Sequence, residues 1–174
     1  MTRVYLALGS NLADPLYQVN TALMALDELP NTIRVATSSF YRTRPYGPID
    51  QPDYLNAVVA LDTQLTPETL LNHIQCIELN HGRIRKAERW APRTLDIDIL
   101  LFGQLCISTP RLIVPHYDIC NRPFVLVPLL EITPDVTLPD NRSLRSFLTN
   151  LEVNNIQRWE ILMPHSFIYE TFVS

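Results

Sequence analysis

Glycine is scarce in this chain. Gly9, Gly47, Gly82 and Gly103 are the only four among 174 residues, and neither a GxxxxGKS/T nor a GxGxxG pattern occurs. A nucleotide bound here is therefore held neither by a P-loop nor by a Rossmann turn. Cys76, Cys106 and Cys120 are odd in number, far apart and without a CxxC, which excludes a disulfide framework and fits reduced thiols in a cytoplasmic protein. No apolar run approaches the ~18 residues of a membrane span, and "MTRVYLALGS" has too short an apolar stretch for a signal peptide. A net charge of −4 argues against a general nucleic-acid binder. Internal repeats, low-complexity tracts and linkers are absent.

What is present is a composition that can bury a core. The chain is 47% hydrophobic and 18% charged, the profile of one compact domain. "RVYLAL" (3–8) alternates as a half-buried strand does. Asp14-Pro15 is a helix start, followed by Leu16, Val19, Leu23 and Leu26 at helical spacing, with Pro30 closing the segment. Strands are expected over 32–41, 54–63 and 94–102, with a helix from Thr66-Pro67-Glu68 to Gly82, its buried stripe Leu70, Ile74 and Ile77. Beyond these, a small hairpin is expected around 105–114 and helices near 124–131 and 143–151.

The order β-α-β-β-α-β predicts an α+β fold: a ferredoxin-like core with an antiparallel sheet, helices on one face and the other face free, plus short C-terminal strands and helices. Two loops, 42–53 and 83–93, are long for structureless connections and carry polar residues, as functional lids do. In strand 54–63, Leu55, Ala57, Val59 and Leu61 form the apolar face and Tyr54 and Asn56 the other; in strand 94–102, Leu95, Ile97, Ile99 and Leu101 oppose Asp96 and Asp98.

Asp96 and Asp98 are the anomaly. Carboxylates two apart on a strand can approach to ~5 Å and then repel by ~3 kcal/mol at an effective dielectric of ~20. Salt bridges or simple exposure would offset that, and so would a divalent metal. Two hard carboxylates without a His or Cys cluster suit Mg²⁺ shared with substrate phosphates. Five of the 14 Lys and Arg residues lie immediately upstream: Arg83, Arg85, Lys86, Arg89 and Arg93. Alone they read as a solvated basic loop; beside a metal-type carboxylate pair they read as phosphate ligands.

"RWAPRTLDIDIL" (89–100), with "LGSNL" (8–12), "SSFYRTRPYGPIDQPDYLNAV" (38–58) and "VPHYDICNRPFVLVPL" (114–129), resembles the 6-hydroxymethyl-7,8-dihydropterin pyrophosphokinase family, in particular its enterobacterial monofunctional form. The resemblance covers about residues 3–150, leaving one domain over 1–158 and a tail, 159–174, of unassigned role. It implies transfer of diphosphate from ATP to the pterin, giving AMP and the pterin diphosphate on the path to folate. It also implies two Mg²⁺ ions on Asp96 and Asp98, and catalytic roles for Arg83 and Arg93 beside them. The implied ATP residues are Gln75, Arg83, Arg85, Lys86, Arg89, Trp90, Arg93, Ile99, Arg111, His116, Tyr117 and Arg122. The implied pterin residues are Thr43, Tyr46, Gly47, Tyr54, Asn56 and Phe124, with Tyr54 and Phe124 stacking on the ring and Asn56 pairing with its edge. Many members have glycine where Ala91 stands and a smaller aliphatic residue where Tyr46 stands. The same resemblance implies a monomer with small-molecule partners only. His73, His81 and His165 are read as surface or helix residues. The competing readings are a nucleotide-binding module without chemistry and a different Mg²⁺-dependent phosphoryl or nucleotidyl transferase.

Overall fold

A computed structural model of the chain describes residues 1–12, 14–44, 51–81 and 94–159. In chain order it contains β1 (Thr2–Ser10), α1 (Pro15–Asp27), β2 (Thr32–Thr37), β3 (Tyr41–Thr43), β4 (Tyr54–Thr63), α2 (Pro67–Asn80), β5 (Asp96–Phe102), β6 (Ile107–Ser108), β7 (Ile113–Val114), α3 (Pro123–Ile132), α4 (Arg145–Leu148) and β8 (Ile156–Arg158). Local chemistry sets the helix starts. The Asp14 carboxylate accepts the Tyr17 N–H at 3.3 Å ahead of Pro15, and Thr66 Oγ1 accepts the Thr69 N–H at 3.2 Å ahead of Pro67. The expected hairpin is the antiparallel pair β6–β7. The helix expected over 143–151 shrinks to the single turn of α4.

The main sheet is antiparallel in every pairing, in the order β5-β1-β4-β3-β8, with β2 also on β4. The single strand expected over 32–41 is two. Thr37 faces Val59 and Tyr41 faces Asn56, so three residues between them on one side (38–40) answer two on the other (57–58). Ser38 takes up the difference, its N–H donating to Val58 O at 2.8 Å and its Oγ accepting the Val58 N–H at 2.9 Å.

Both faces of the sheet are covered, against the expectation of one free face. Leu70 and Ile74 of α2 and Val19 and Leu26 of α1 pack on Val4, Leu6, Leu8, Leu55, Val59, Leu61, Ile97 and Ile99. On the other side Val125, Leu126 and Leu129 of α3 pack on Ala7, Val58, Leu100 and Leu101. The reason lies in β4, which is apolar and buried without a break from Ala57 to Leu61; a strand sandwiched on both sides reads that way. Leu101 is also reassigned. The β1–β5 register slips between Tyr5 and Leu6, so Leu100 and Leu101 both join the α3 side and Phe102 returns to the α1–α2 side. The polar end of that second face, which α3 does not fill with aliphatic side chains, is where Asp96, Asp98, Tyr54 and Asn56 lie.

Candidate active site

Sheet register assembles the site. Asp96 on β5 faces Gly9 on β1, Gly9 faces Asn56 on β4, and Asn56 faces Tyr41 on β3. Directly opposed residues of antiparallel strands share a face, so a carboxylate, a bare backbone and an amide follow one another across three strands. Asp98, Ala7 and Val58 form the next row. Gly9 has a steric reason to lack a side chain: a Cβ there would stand 3.3 Å from Asn56 Oδ1. No side chain therefore rises from β1 between Asp96 and Asn56 in this row.

On the Asn56 side, Asn56 Nδ2 donates to Thr43 Oγ1 at 2.6 Å, with both side chains buried. That bond fixes the amide orientation. Tyr54 faces Thr43 across the β3–β4 pair. The loop following β3 is tied at its far end by Asn11, whose Nδ2 donates to Gln51 Oε1 at 3.2 Å and Pro52 O at 3.3 Å. Ser10 Oγ donates to Thr94 O, anchoring the approach to β5. From the far side of β3, β8 pairs with Tyr41–Thr43, and the ring of Trp159 lies under the Arg42 guanidinium at 4.0 Å.

On the Asp98 side, the segment after β7 returns to β5 through a His116 N–H···O=C Leu100 bond of 3.0 Å. His116 Nε2 lies 4.0 Å and Arg122 Nη1 3.9 Å from Asp98 Oδ2. His116 Nδ1 accepts the Asp118 N–H at 3.2 Å, so in the neutral ring the proton sits on Nε2, facing the Asp98 side. Burial pushes the His116 pKa below its ordinary value, outweighing the opposite pull of Asp98. Asp118 aims Arg122 by accepting its Nε–H at 3.0 Å. The Asp118 carboxyl is itself held below the usual range by hydrogen bonds from Asn121 and Arg122. Arg122 also faces the rings of Tyr117 and Phe124 at 5.9 and 5.8 Å. Tyr117 stacks on His116 yet is 74% exposed, an aromatic face left for something other than the core.

Arg111 and Gln75 form a separate cluster. Arg111 donates to Glu68 Oε2 at 2.8 Å, Asn72 Oδ1 at 2.7 Å and Gln75 Oε1 at 3.2 Å, all on α2. Ile99 has its side chain in the α1–α2 core, on the face opposite the aspartates, so its backbone alone reaches the site side. Phe124 packs at the margin of the α3 core and is half-buried. Tyr46, Gly47, Arg83, Arg85, Lys86, Arg89, Trp90, Arg93 and His165 lie outside the described residues.

Asp96 and Asp98 fit a hard divalent cation. They offer carboxylate oxygens on one face, and among the described residues the cations nearest Asp98 Oδ2 stand beyond hydrogen-bonding distance. Among the described residues no group of three His, Cys, Asp or Glu forms a cage. Gly9, Ser10, Asn11 and Asp118 were given no role on sequence grounds. The signals were present in the polar "GSN" at 9–11 and in an acid four residues before Arg122, but the partners of Gly9, Ser10 and Asn11 are distant in sequence.

Comparison with known proteins points to one family. Residues 5–134 match the family model of 7,8-dihydro-6-hydroxymethylpterin-pyrophosphokinase (HPPK). The chain is 52% identical over 156 residues to a 2-amino-4-hydroxy-6-hydroxymethyldihydropteridine pyrophosphokinase of Pseudomonas aeruginosa, covering 90% of this chain and 96% of that protein. A protein of the same name from Haemophilus influenzae is 52% identical over 142 residues, covering 82% and 88%. Among solved structures, the Plasmodium falciparum HPPK-DHPS with pteroate superposes with a TM-score of 0.72 at 16% identity, over 92% of this chain and 46% of that one. An HPPK-DHPS in complex with substrates gives 0.71 at 14%, over 92% and 47%. The chain thus spans about half the length of those two structures, and the likeness to them is one of fold.

Proposed function

The chain belongs to the 7,8-dihydro-6-hydroxymethylpterin-pyrophosphokinase family, and from that premise we propose that it transfers the diphosphate of ATP to 6-hydroxymethyl-7,8-dihydropterin, giving AMP and the pterin diphosphate for folate biosynthesis. The observation that carries this reading is the cross-strand row Asp96–Gly9–Asn56. It sets a metal-type carboxylate and a heterocycle-type amide on one face, with only a glycine between them in the row.

Each side chain then has a task. Asn56, oriented by Thr43, pairs with the pterin edge, while Tyr54 and Phe124 flank the ring and Tyr46 and Gly47 complete the pocket from the loop. Asp96 and Asp98 hold two Mg²⁺ ions, which when bound screen the phosphate charge and acidify the acceptor hydroxyl. Arg122 and the Nε2–H of His116 donate to phosphate oxygens beside Asp98. Tyr117 offers its exposed face to the nucleotide, Gln75 and Arg111 bind it further along, and the cations of 83–93 balance the diphosphate in transit. The pterin hydroxyl oxygen forms a bond to the β-phosphorus. The bond from that phosphorus to the α–β bridging oxygen breaks, AMP departs with the bridging oxygen, and the hydroxyl proton passes to solvent. In-line placement of the acceptor, ~3–3.5 Å from the β-phosphorus, is what selects AMP over ADP as product.

The strand order supports reading the core as ferredoxin-like, with residues 1–158 one domain and 159–174 a tail. We place the protein in the cytoplasm as a monomer; no helix among the described residues is long and apolar enough to cross a membrane. The test is to mix protein, ATP, Mg²⁺ and the hydroxymethyl pterin and separate the nucleotides. AMP with pterin diphosphate is expected. ADP with a pterin monophosphate would make it an ordinary kinase, and unchanged ATP a binding module.

A further inference from the structure

Glu78 is the one acidic residue among the buried polar side chains of the described residues, 4% exposed near the C-terminal end of α2, beneath the sheet face opposite the site. Its Oε2 accepts the N–H of Ile97 at 3.1 Å. Ile97 is the residue between Asp96 and Asp98. Among the described residues its strand, β5, ends the sheet and pairs only with β1. In an antiparallel pair, alternate residues turn their N–H groups toward the partner and away from it. At an edge strand the outward groups meet water or nothing. Here the outward N–H at the centre of Asp-Ile-Asp meets a buried carboxyl oxygen.

Resting on the Mg²⁺ reading of Asp96 and Asp98, we infer that Glu78 is a positioning residue for the metal pair: by fixing the Ile97 peptide from below, it sets the separation and tilt of the two aspartates above. The spacing of two carboxylates on one strand follows from the pleat and twist of the peptide between them. β1 restrains that peptide from one side alone. Sites of this kind need their ligands held within ~0.5 Å, and an edge strand free on its outer side does not provide that. Glu78 supplies the second restraint without touching substrate. The requirement is for an acceptor, so an amide oxygen in the same place serves as well.

The experiment compares wild type, Glu78→Gln and Glu78→Met. Gln keeps an acceptor oxygen, and Met keeps the volume and apolar packing but accepts nothing useful. Three quantities are read: Mn²⁺ binding by electron paramagnetic resonance in the presence of a non-hydrolysable ATP analogue, the Mg²⁺ dependence of turnover, and exchange of the Ile97 amide by NMR. Glu78→Met is expected to weaken Mn²⁺ binding and raise the half-saturating Mg²⁺ concentration about tenfold, to speed Ile97 exchange, and to leave pterin affinity within about twofold. Glu78→Gln is expected to stay within about threefold of wild type throughout. If Glu78→Met does not fold, Glu78→Gln and the wild-type amide still decide. A tenfold metal defect in Gln, or fast Ile97 exchange in the wild type, overturns the inference, as does wild-type metal binding in a folded Met variant. Failure of wild type itself to bind Mn²⁺ overturns the Mg²⁺ reading instead.

Discussion

Gly9→Ala isolates the geometry of the site floor from the stability of the fold. The added methyl would lie 3.3 Å from Asn56 Oδ1 and 3.8 Å from Leu55 O. The backbone oxygen is at ordinary contact distance and stays where it is. The amide oxygen is too close by a few tenths of an ångström, so Asn56 has to turn. Turning carries Nδ2 off Thr43 Oγ1, which it now meets at 2.6 Å. The loss of one such bond is worth ~0.5–1.5 kcal/mol, which corresponds to about two- to tenfold in affinity. Against this, alanine lowers the entropy of the unfolded chain by ~0.4–1 kcal/mol where the backbone conformation tolerates it; Gly9 sits inside a regular β1 ladder. The melting temperature should therefore change by only a few degrees. Calorimetric titration should show pterin affinity down about two- to tenfold and the affinity for a non-hydrolysable ATP analogue unchanged. Unaltered pterin binding would refute the packing of Gly9 against Asn56 as a feature of the site. Equal losses for both ligands would refute the division of the face into a pterin end and a phosphate end.

Asp98→Asn should leave thermal stability within about 1 kcal/mol, since the side chain is 45% exposed, and should cut turnover by ~10²-fold with a raised Mg²⁺ requirement, the scale of losing one preorganised electrostatic stabiliser; turnover near wild type at limiting Mg²⁺ removes the metal assignment. Phe124→Ala should cost pterin affinity by ~1–3 kcal/mol, the value of one stacked face, with little change for ATP; equal losses or unfolding would make Phe124 a core residue only. Glu131→Gln tests a carboxylate outside the site, which accepts from the Tyr41 hydroxyl at 2.5 Å and from Ser39. Burial raises its pKa, but the bonds from Tyr41 and Ser39 win and hold it below the ordinary value. Its contribution to stability is thus present above the unfolded glutamate pKa of ~4.3 and is lost as pH falls through the lower folded value. Urea unfolding from pH 7 to 3 should show a shallower acid decline in Glu131→Gln, and an unchanged slope would contradict the linkage.

Periodicity and turn chemistry were enough to read α1, α2, β1, β4 and β5, because each is decided by neighbours in sequence: Asp14-Pro15, Thr66-Pro67 and the alternation of "RVYLAL". The face carrying Asp96 and Asp98 was legible for the same reason. What could not be read depends on residues far apart. The break at Ser38 exists because Val58, twenty residues on, supplies both of its backbone partners. The covering of the second face by α3 follows from where Val125 and Leu129 find room, which the pattern of α3 alone does not say. Leu101 changed sides through a register slip opposite Tyr5 and Leu6, invisible to a count of two. Glu78 was given no role on sequence grounds, because the backbone N–H of Ile97 that it accepts carries no signature in the sequence.

The row from Asp96 through Gly9 to Asn56 also works as a ruler. Neighbouring strands stand ~4.8 Å apart, so the two ends of the row are separated by two strand spacings, ~10 Å, whatever their side chains do. That length is maintained by backbone hydrogen bonds and resists stretching far better than a loop would. A bicyclic ring gripped at its Asn56 edge delivers a one-carbon arm to the carboxylates only if ring and arm together match the span. Ligands longer or shorter by one carbon bond would bind at one end and miss at the other. Selection by the sheet is thus selection by reach, and an analogue with a hydroxyethyl arm should still occupy the ring pocket while presenting its oxygen out of line.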